Sequence, residues 1–307
     1  MSPVLRAVVL KLSSVATFVV MASLIKAVAP HVPPGEAVFF RSFFALPVIL
    51  GWLVLRGELS TGLRAANPIS HVWRGLIGTM AMGLNFAALG LLPLPEVTAI
   101  GYAAPLLTVI FAAMFLGEPV RAFRLTAVGL GMVGVLIVLS PRLTATAVDK
   151  VSTAETLGAV LVLMGAVCAA LAQVFIRLMV RTERTAAIVF WFSATATVMS
   201  LLTIPFGWVV PAPREAVFLV LAGLVGGLGQ ILLTSAYRHA EAGVVAPFDY
   251  ASMLLAIVIG YVVFGEVPTL TVLGGAALVI AAGVLIIWRE RQLGLERDRQ
   301  ARARTPS

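Results

Sequence analysis

The stretch from Gly75 to Glu118, GLIGTMAMGLNFAALGLLPLPEVTAIGYAAPLLTVIFAAMFLGE, recurs 148 positions later as Gly223 to Glu266, GLVGGLGQILLTSAYRHAEAGVVAPFDYASMLLAIVIGYVVFGE. Of 44 aligned positions 12 are identical, among them Gly75/Gly223, Gly78/Gly226, Tyr102/Tyr250 and the closing Gly117-Glu118/Gly265-Glu266. A proline follows each copy closely, at Pro119 and Pro268. The matches fall mostly inside apolar runs of membrane length. Long internal repeats of this kind mark transporters whose two halves rock about a central site.

Composition agrees with a membrane setting. The 307 residues are 60% hydrophobic and only 12% charged, with mean hydropathy +1.04. A soluble domain carries about 25% charged residues, so this chain cannot clothe itself for water. Its single cysteine, Cys168, excludes a disulfide framework and a cysteine-based metal site. The net charge of +8 does not point to nucleic acid, because the basic residues cluster between apolar runs and in the tail from Arg289 to Arg304. No cleavable signal is expected: the first apolar run leads straight into the rest of the bundle.

A bilayer core of about 30 Å takes roughly 20 apolar residues per helix. Cutting at charges, proline and glycine predicts ten spans: 9–29, 37–55, 75–92, 96–116, 125–140, 156–178, 186–207, 216–237, 243–264 and 269–288. With a cytoplasmic N-terminus, 17 lysines and arginines fall inside, four outside, and Arg41 within a span. That asymmetry places both termini in the cytoplasm. Five spans per half then make the repeats inverted. The expected organisation is a first repeat over 1–140, a linker over 141–155, a second repeat over 156–288 and a basic cytoplasmic tail over 289–307. Helical runs of this length belong to an inner or plasma membrane and not to an outer-membrane barrel, whose strands run about ten residues.

These features resemble the drug/metabolite transporter superfamily, and within it the EamA-type members. The resemblance rests on Arg41 in Glu36-Ala-Val-Phe-Phe-Arg-Ser42, on Ala99-Ile-Gly-Tyr-Ala-Ala-Pro105, on Leu116-Gly-Glu-Pro119 and on Phe264-Gly-Glu-Val-Pro268. It implies a secondary transporter with a central cavity lined mainly by the first, third, fourth, sixth, eighth and ninth spans. The whole chain is also somewhat similar to the bacterial riboflavin importers of that family. Riboflavin uptake is therefore the first expectation, and export of amphipathic amino acids or related metabolites the second.

Polar groups within the spans are the candidate site residues. Asp249 is the acidic residue well inside a span, roughly 10 Å deep at 1.5 Å per residue from Ala242, and it follows Pro247, which breaks the helical ladder. Such a carboxylate holds a proton, a cation or a cationic substrate group; the alternative is a structural pair with Arg74, Arg121 or Arg238. Charges at this depth cost at least about 2.5 kcal/mol each. Arg41 reads as structural, snorkelling or bonding helix carbonyls. Tyr102 and Tyr250 read as cavity-lining, since a phenol ring stacks while its hydroxyl bonds polar edges. Asn85, Gln173 and Gln230 lie mid-span in three expected cavity helices and are read as substrate-binding amides, with helix–helix bonding as the alternative.

Gly129, Gly131 and Gly134 in the fifth span and Gly274, Gly275 and Gly283 in the tenth present small faces for packing within the bundle or against a second copy in a homodimer. No clustered catalytic set favours a membrane enzyme, no ring of charge or filter loop favours a channel, and no cofactor or metal is implied.

Overall fold

Proline decides where several helices start. Pro34, Pro68 and Pro213 each open a helix, and Pro95 is the second residue of another, positions where the missing N–H costs nothing. The computed structural model describes residues 3–116, 122–143, 153–179, 182–239, 246–285 and 288. Among them are ten helical spans, taken here in chain order. The first is Pro3–Val28, the second Pro34–Leu55, the third Pro68–Leu89, and the fourth Leu94–Gly101 continued as Ala103–Leu116. The fifth is Ala122–Leu143, the sixth Thr153–Met179, the seventh Thr185–Leu201 and the eighth Pro213–His239. The ninth joins a 3-10 turn, Ala246–Tyr250, to Ala251–Phe264, and the tenth is Leu270–Leu285. The protein is an all-α membrane protein.

Three spans break, each beside a proline. The second breaks at Phe44 ahead of Pro47, the fourth at Tyr102 ahead of Pro105, and the ninth changes from 3-10 to α after Tyr250, just past Pro247. Proline removes a donor and crowds the carbonyl one turn back. The breaks in the fourth and ninth spans coincide with the repeated tyrosines.

Packing follows the repeat. The first span packs along the eighth and the third along the sixth, which are equivalent pairings in the two halves; the second meets the seventh and the fourth meets the ninth. Two carboxylates, Glu36 in the first turn of the second span and Glu183 in the loop before the seventh, latch the halves together. Glu36 accepts the Val209 N–H at 3.0 Å, ahead of the eighth span. Glu183 accepts the Ala66 and Asn67 N–H groups at 3.1 and 2.6 Å, ahead of the third. Consecutive spans alternate in direction, so these latches sit on opposite membrane faces. Gly134 and Gly275 bring the fifth and tenth spans together; a Cβ on Gly134 would lie 2.8 Å from the Gly275 carbonyl oxygen. The outer surface carries Val198, Leu254, Val258 and Val262, all more than half exposed, as lipid contact demands.

One boundary differs from expectation in a way that matters. The third span begins at Pro68 and not near Gly75, because Asn67 Oδ1 caps it by accepting the Ser70 N–H. Arg74 therefore lies two turns inside the helix.

Candidate functional site

The two broken spans cross at their tyrosines. The Tyr102 and Tyr250 rings meet edge to face, 5.2 Å between centroids. The Tyr102 hydroxyl lies 2.7 Å from Ser252 Oγ, which donates to the Asp249 carbonyl at 2.6 Å. The Tyr250 hydroxyl fits against Gly283, where a Cβ would collide with it. Each ring is buried against protein, so sequence symmetry has become direct contact between the halves.

Beside this crossing lies a cavity of about 230 Å³ among the first, fourth and ninth spans, with Phe18, Thr98, Asp249 and Ser252 in its wall. Asp249 binds Lys11 Nζ at 2.7 Å; the lysine is 2% exposed and the carboxylate 42%. The partner comes from the first span, and not from Arg74, Arg121 or Arg238. Arg74 is engaged elsewhere, and Arg121 and the Arg238 side chain lie outside the described residues. The wall of this cavity does not include Tyr102, Tyr250, Asn85, Gln173 or Gln230. Asn85 faces Gly165 of the sixth span, Gln173 is exposed and Gln230 is half-buried.

A second ion pair closes the far end of the same three spans. Lys26 Nζ contacts Glu266 Oε1 at 2.8 Å and donates to the Leu92 and Leu89 carbonyls at 2.7 and 3.1 Å. Glu266 Oε2 accepts the Leu94 N–H at 2.8 Å, at the start of the fourth span. Gly265 makes this possible: its φ of +66° stops the ninth span in the left-handed conformation glycine tolerates and turns Glu266 back over the bundle. The Gly-Glu ending thus acts as a clasp. Its counterpart, Gly117-Glu118, lies outside the described residues.

Deeper among the second, third and seventh spans, Arg41 and Arg74 share one ring. Their guanidinium carbons lie 5.5 and 4.2 Å from the Phe192 centroid. They are 2% and 8% exposed, and Nε and Nη1 of both lack a hydrogen-bond partner. Among the described residues neither forms a salt bridge. Ser42 Oγ and Ser193 Oγ, next in sequence to Arg41 and Phe192, are buried and unpartnered too.

Residues 5–140 and 156–288 both match the EamA-like transporter family. The chain belongs to that family. It is 33% identical over 270 residues to a pseudopaline exporter of Pseudomonas aeruginosa, covering 86% of this chain and 90% of the relative. It is 28% identical to an S-adenosylmethionine uptake transporter of Rickettsia bellii, covering 84% of each. It is 27% identical to a riboflavin transporter of Rhizobium johnstonii, covering 84% of this chain and 82% of the relative. A solved crystal structure, 22% identical, superposes with a TM-score of 0.66 over 94% of this chain and 98% of that one, which speaks to the fold alone.

As an EamA-like transporter, the protein moves a small molecule across a membrane through the bundle just described. Lys11 and Arg74 are not among the expected substrate-binding residues. Lys11, near the start of the expected span 9–29, counts as a cytoplasmic charge, and Arg74, flanking the expected span 75–92, enters as an alternative structural partner of Asp249. Pro68 after Asn67 was the available signal for Arg74: an Asn-Pro pair is a helix start.

Proposed function

We propose that the chain is a secondary transporter of an amphipathic metabolite, working by alternating access across the inner membrane with both termini in the cytoplasm. The observation that carries this reading is the arrangement of the first, fourth and ninth spans. They border a cavity with Asp249, the partner of Lys11, in its wall and are clasped at one end by Lys26–Glu266. With the N-terminus inside, the clasp lies on the outer face, and its release opens the cavity outward while the other end closes.

Asp249 is the proposed coupling group. A proton arriving on its carboxylate weakens its hold on Lys11, and loss of that proton restores the pair; each change alters how the ninth span sits on the first. Tyr102 and Tyr250 serve as the contact that slides during rocking, and Asn85, Gln173 and Gln230 as amides that meet substrate along the path. Export of an amino-acid-related metabolite is supported by the likeness to the pseudopaline exporter. Riboflavin uptake has its own support in the Rhizobium relative, but it needs the two tyrosine rings to part before a flat ring can stack between them.

Membrane vesicles of both orientations decide among these. Labelled L-phenylalanine accumulating in everted vesicles under a proton gradient supports export; labelled riboflavin accumulating in right-side-out vesicles supports uptake. No gradient-dependent flux of either, with the protein correctly inserted, sinks both substrate readings. The double variant Lys11→Met/Asp249→Asn removes both charges together. If it still accumulates substrate and remains sensitive to uncouplers, Asp249 is not the coupling group.

A further inference from the structure

The buried arginines need a counter-charge. A guanidinium in a low-dielectric interior is costly unless it is paired, and here two like charges share one phenyl ring with no salt bridge to either among the described residues. Cation–π attraction offsets only part of that cost, and the unpartnered Nε and Nη1 atoms leave hydrogen-bond capacity unused on both groups.

The repeat supplies an internal control on whether packing alone requires these charges. Gly78 in the third span and Gly226 in the eighth are equivalent positions. A Cβ at Gly78 would run into the Arg74 guanidinium and lie 2.9 Å from Phe192, and a Cβ at Gly226 would lie 2.8 Å from Met21 Sδ and 3.2 Å from Arg41 Nε. Each notch thus seats one of the two arginines, Arg74 beside Phe192 at Gly78 and Arg41 beside Met21 at Gly226. Arg74 itself has Ala222 as its repeat mate, fully buried without charge. The position equivalent to Arg74 is therefore packed without a charge.

We propose that Arg41 and Arg74 form the subsite that binds the oxyanion group, carboxylate or phosphate, of the transported metabolite, with Phe192 against its apolar part. Two planar forks fit an oxyanion, and the aromatic ring between them suits an amphipathic molecule. This rests on the transporter reading and narrows its substrate class: a neutral ligand leaves the two charges uncompensated.

The test uses the full chain purified in detergent, with thermal unfolding followed at constant ionic strength against benzoate, phenyl phosphate and neutral benzyl alcohol. The wild-type protein is expected to show a saturable stabilisation by benzoate or phenyl phosphate and none by benzyl alcohol; the better of the two anions identifies the group. Arg74→Met is expected to unfold no earlier than wild type without an anion and to lose the response. Arg74→Lys, which keeps a charge but not the fork, should raise the concentration for half-response about tenfold and serves if the methionine variant does not fold. A wild-type protein indifferent to both anions, or variants that respond like wild type, overturns the proposal. Substrate flux that neither anion inhibits also overturns it while leaving transport intact; absence of any flux bears on the transporter reading and not on the anion response.

Discussion

Lys11 and Arg74 are both cations buried in the bundle, yet they are treated in opposite ways. Lys11 meets Asp249 at 2.7 Å beside a cavity, and Lys26 meets Glu266 at 2.8 Å at the far end of the same spans. Arg74 meets another cation, Arg41, across Phe192. A paired charge is a strut or a switch, complete within the chain. An unpaired one is complete only with something bound. The two regions therefore answer differently to the same kind of mutation.

The largest contrast comes from removing one partner on each side. Asp249→Asn removes the carboxylate that Lys11, 2% exposed, meets at 2.7 Å. Because that carboxylate is itself 42% exposed, the loss in chemical unfolding should be about 2–3 kcal/mol, at or below the cost of breaking a fully buried pair. Lys11→Met/Asp249→Asn should recover most of that loss. If the double variant is no more stable than Asp249→Asn, the pair is not the reason for the cost. Arg74→Met, by comparison, should cost nothing in anion-free buffer.

Glu183 sharpens the comparison by showing a carboxylate held for structure alone. It lies in the loop before the seventh span, buried, with the Ala66 and Asn67 N–H groups and His71 around it. Burial pushes its titration up, but the two backbone donors and His71 outweigh this and hold it below the ordinary carboxylate range. A depressed carboxylate contributes stability that is fully present above its unfolded value of 4.5 and is lost as pH falls through the folded value. Glu183→Gln should cost about 1–3 kcal/mol at neutral pH, with the gap to wild type closing in acid. A gap that stays constant down to the acid limit would remove the charge from the explanation.

A smaller effect belongs to the clasp. In a Cys168→Ser background with a cysteine at Thr98, Glu266→Ala should raise labelling by an impermeant reagent from the outer face about tenfold, a shift of roughly 1.4 kcal/mol between closed and open states. Unchanged labelling would make Lys26–Glu266 a strut like the Glu36 and Glu183 latches. The smallest effect is expected at the crossing itself: Tyr102→Phe removes the bond to Ser252 at 2.7 Å and should cost about 1 kcal/mol or less, because the ring contact with Tyr250 survives. A loss as large as that of Asp249→Asn would mean the hydroxyl organises the ninth span.

Much of this was legible in one dimension because it depends on local rules. The apolar runs, the inverted repeat, the proline-broken spans and the glycine that stops the ninth span all follow from residue type and order. Arg41 and Asp249 stood out because a charge inside an apolar run is visible against its neighbours. Arg74 and Lys11 did not, since each sits near the end of a run, where a charge reads as a boundary. The helices extend past them, from Pro68 and from Pro3, and carry them inside.

Sequence by itself determined a ten-span, two-fold repeated membrane transporter, because hydropathy and helix-breaking residues act over a few turns of a single helix. Tertiary structure alone decided which charges met. Lys11 is 238 positions from Asp249 and Lys26 is 240 from Glu266, whereas Arg41 and Arg74 belong to neighbouring spans and converge on Phe192 from the other half. No local pattern encodes such pairings. They depend on where the two inverted halves cross, and in a low-dielectric interior that crossing decides which charge is neutralised within the chain and which is left for a ligand.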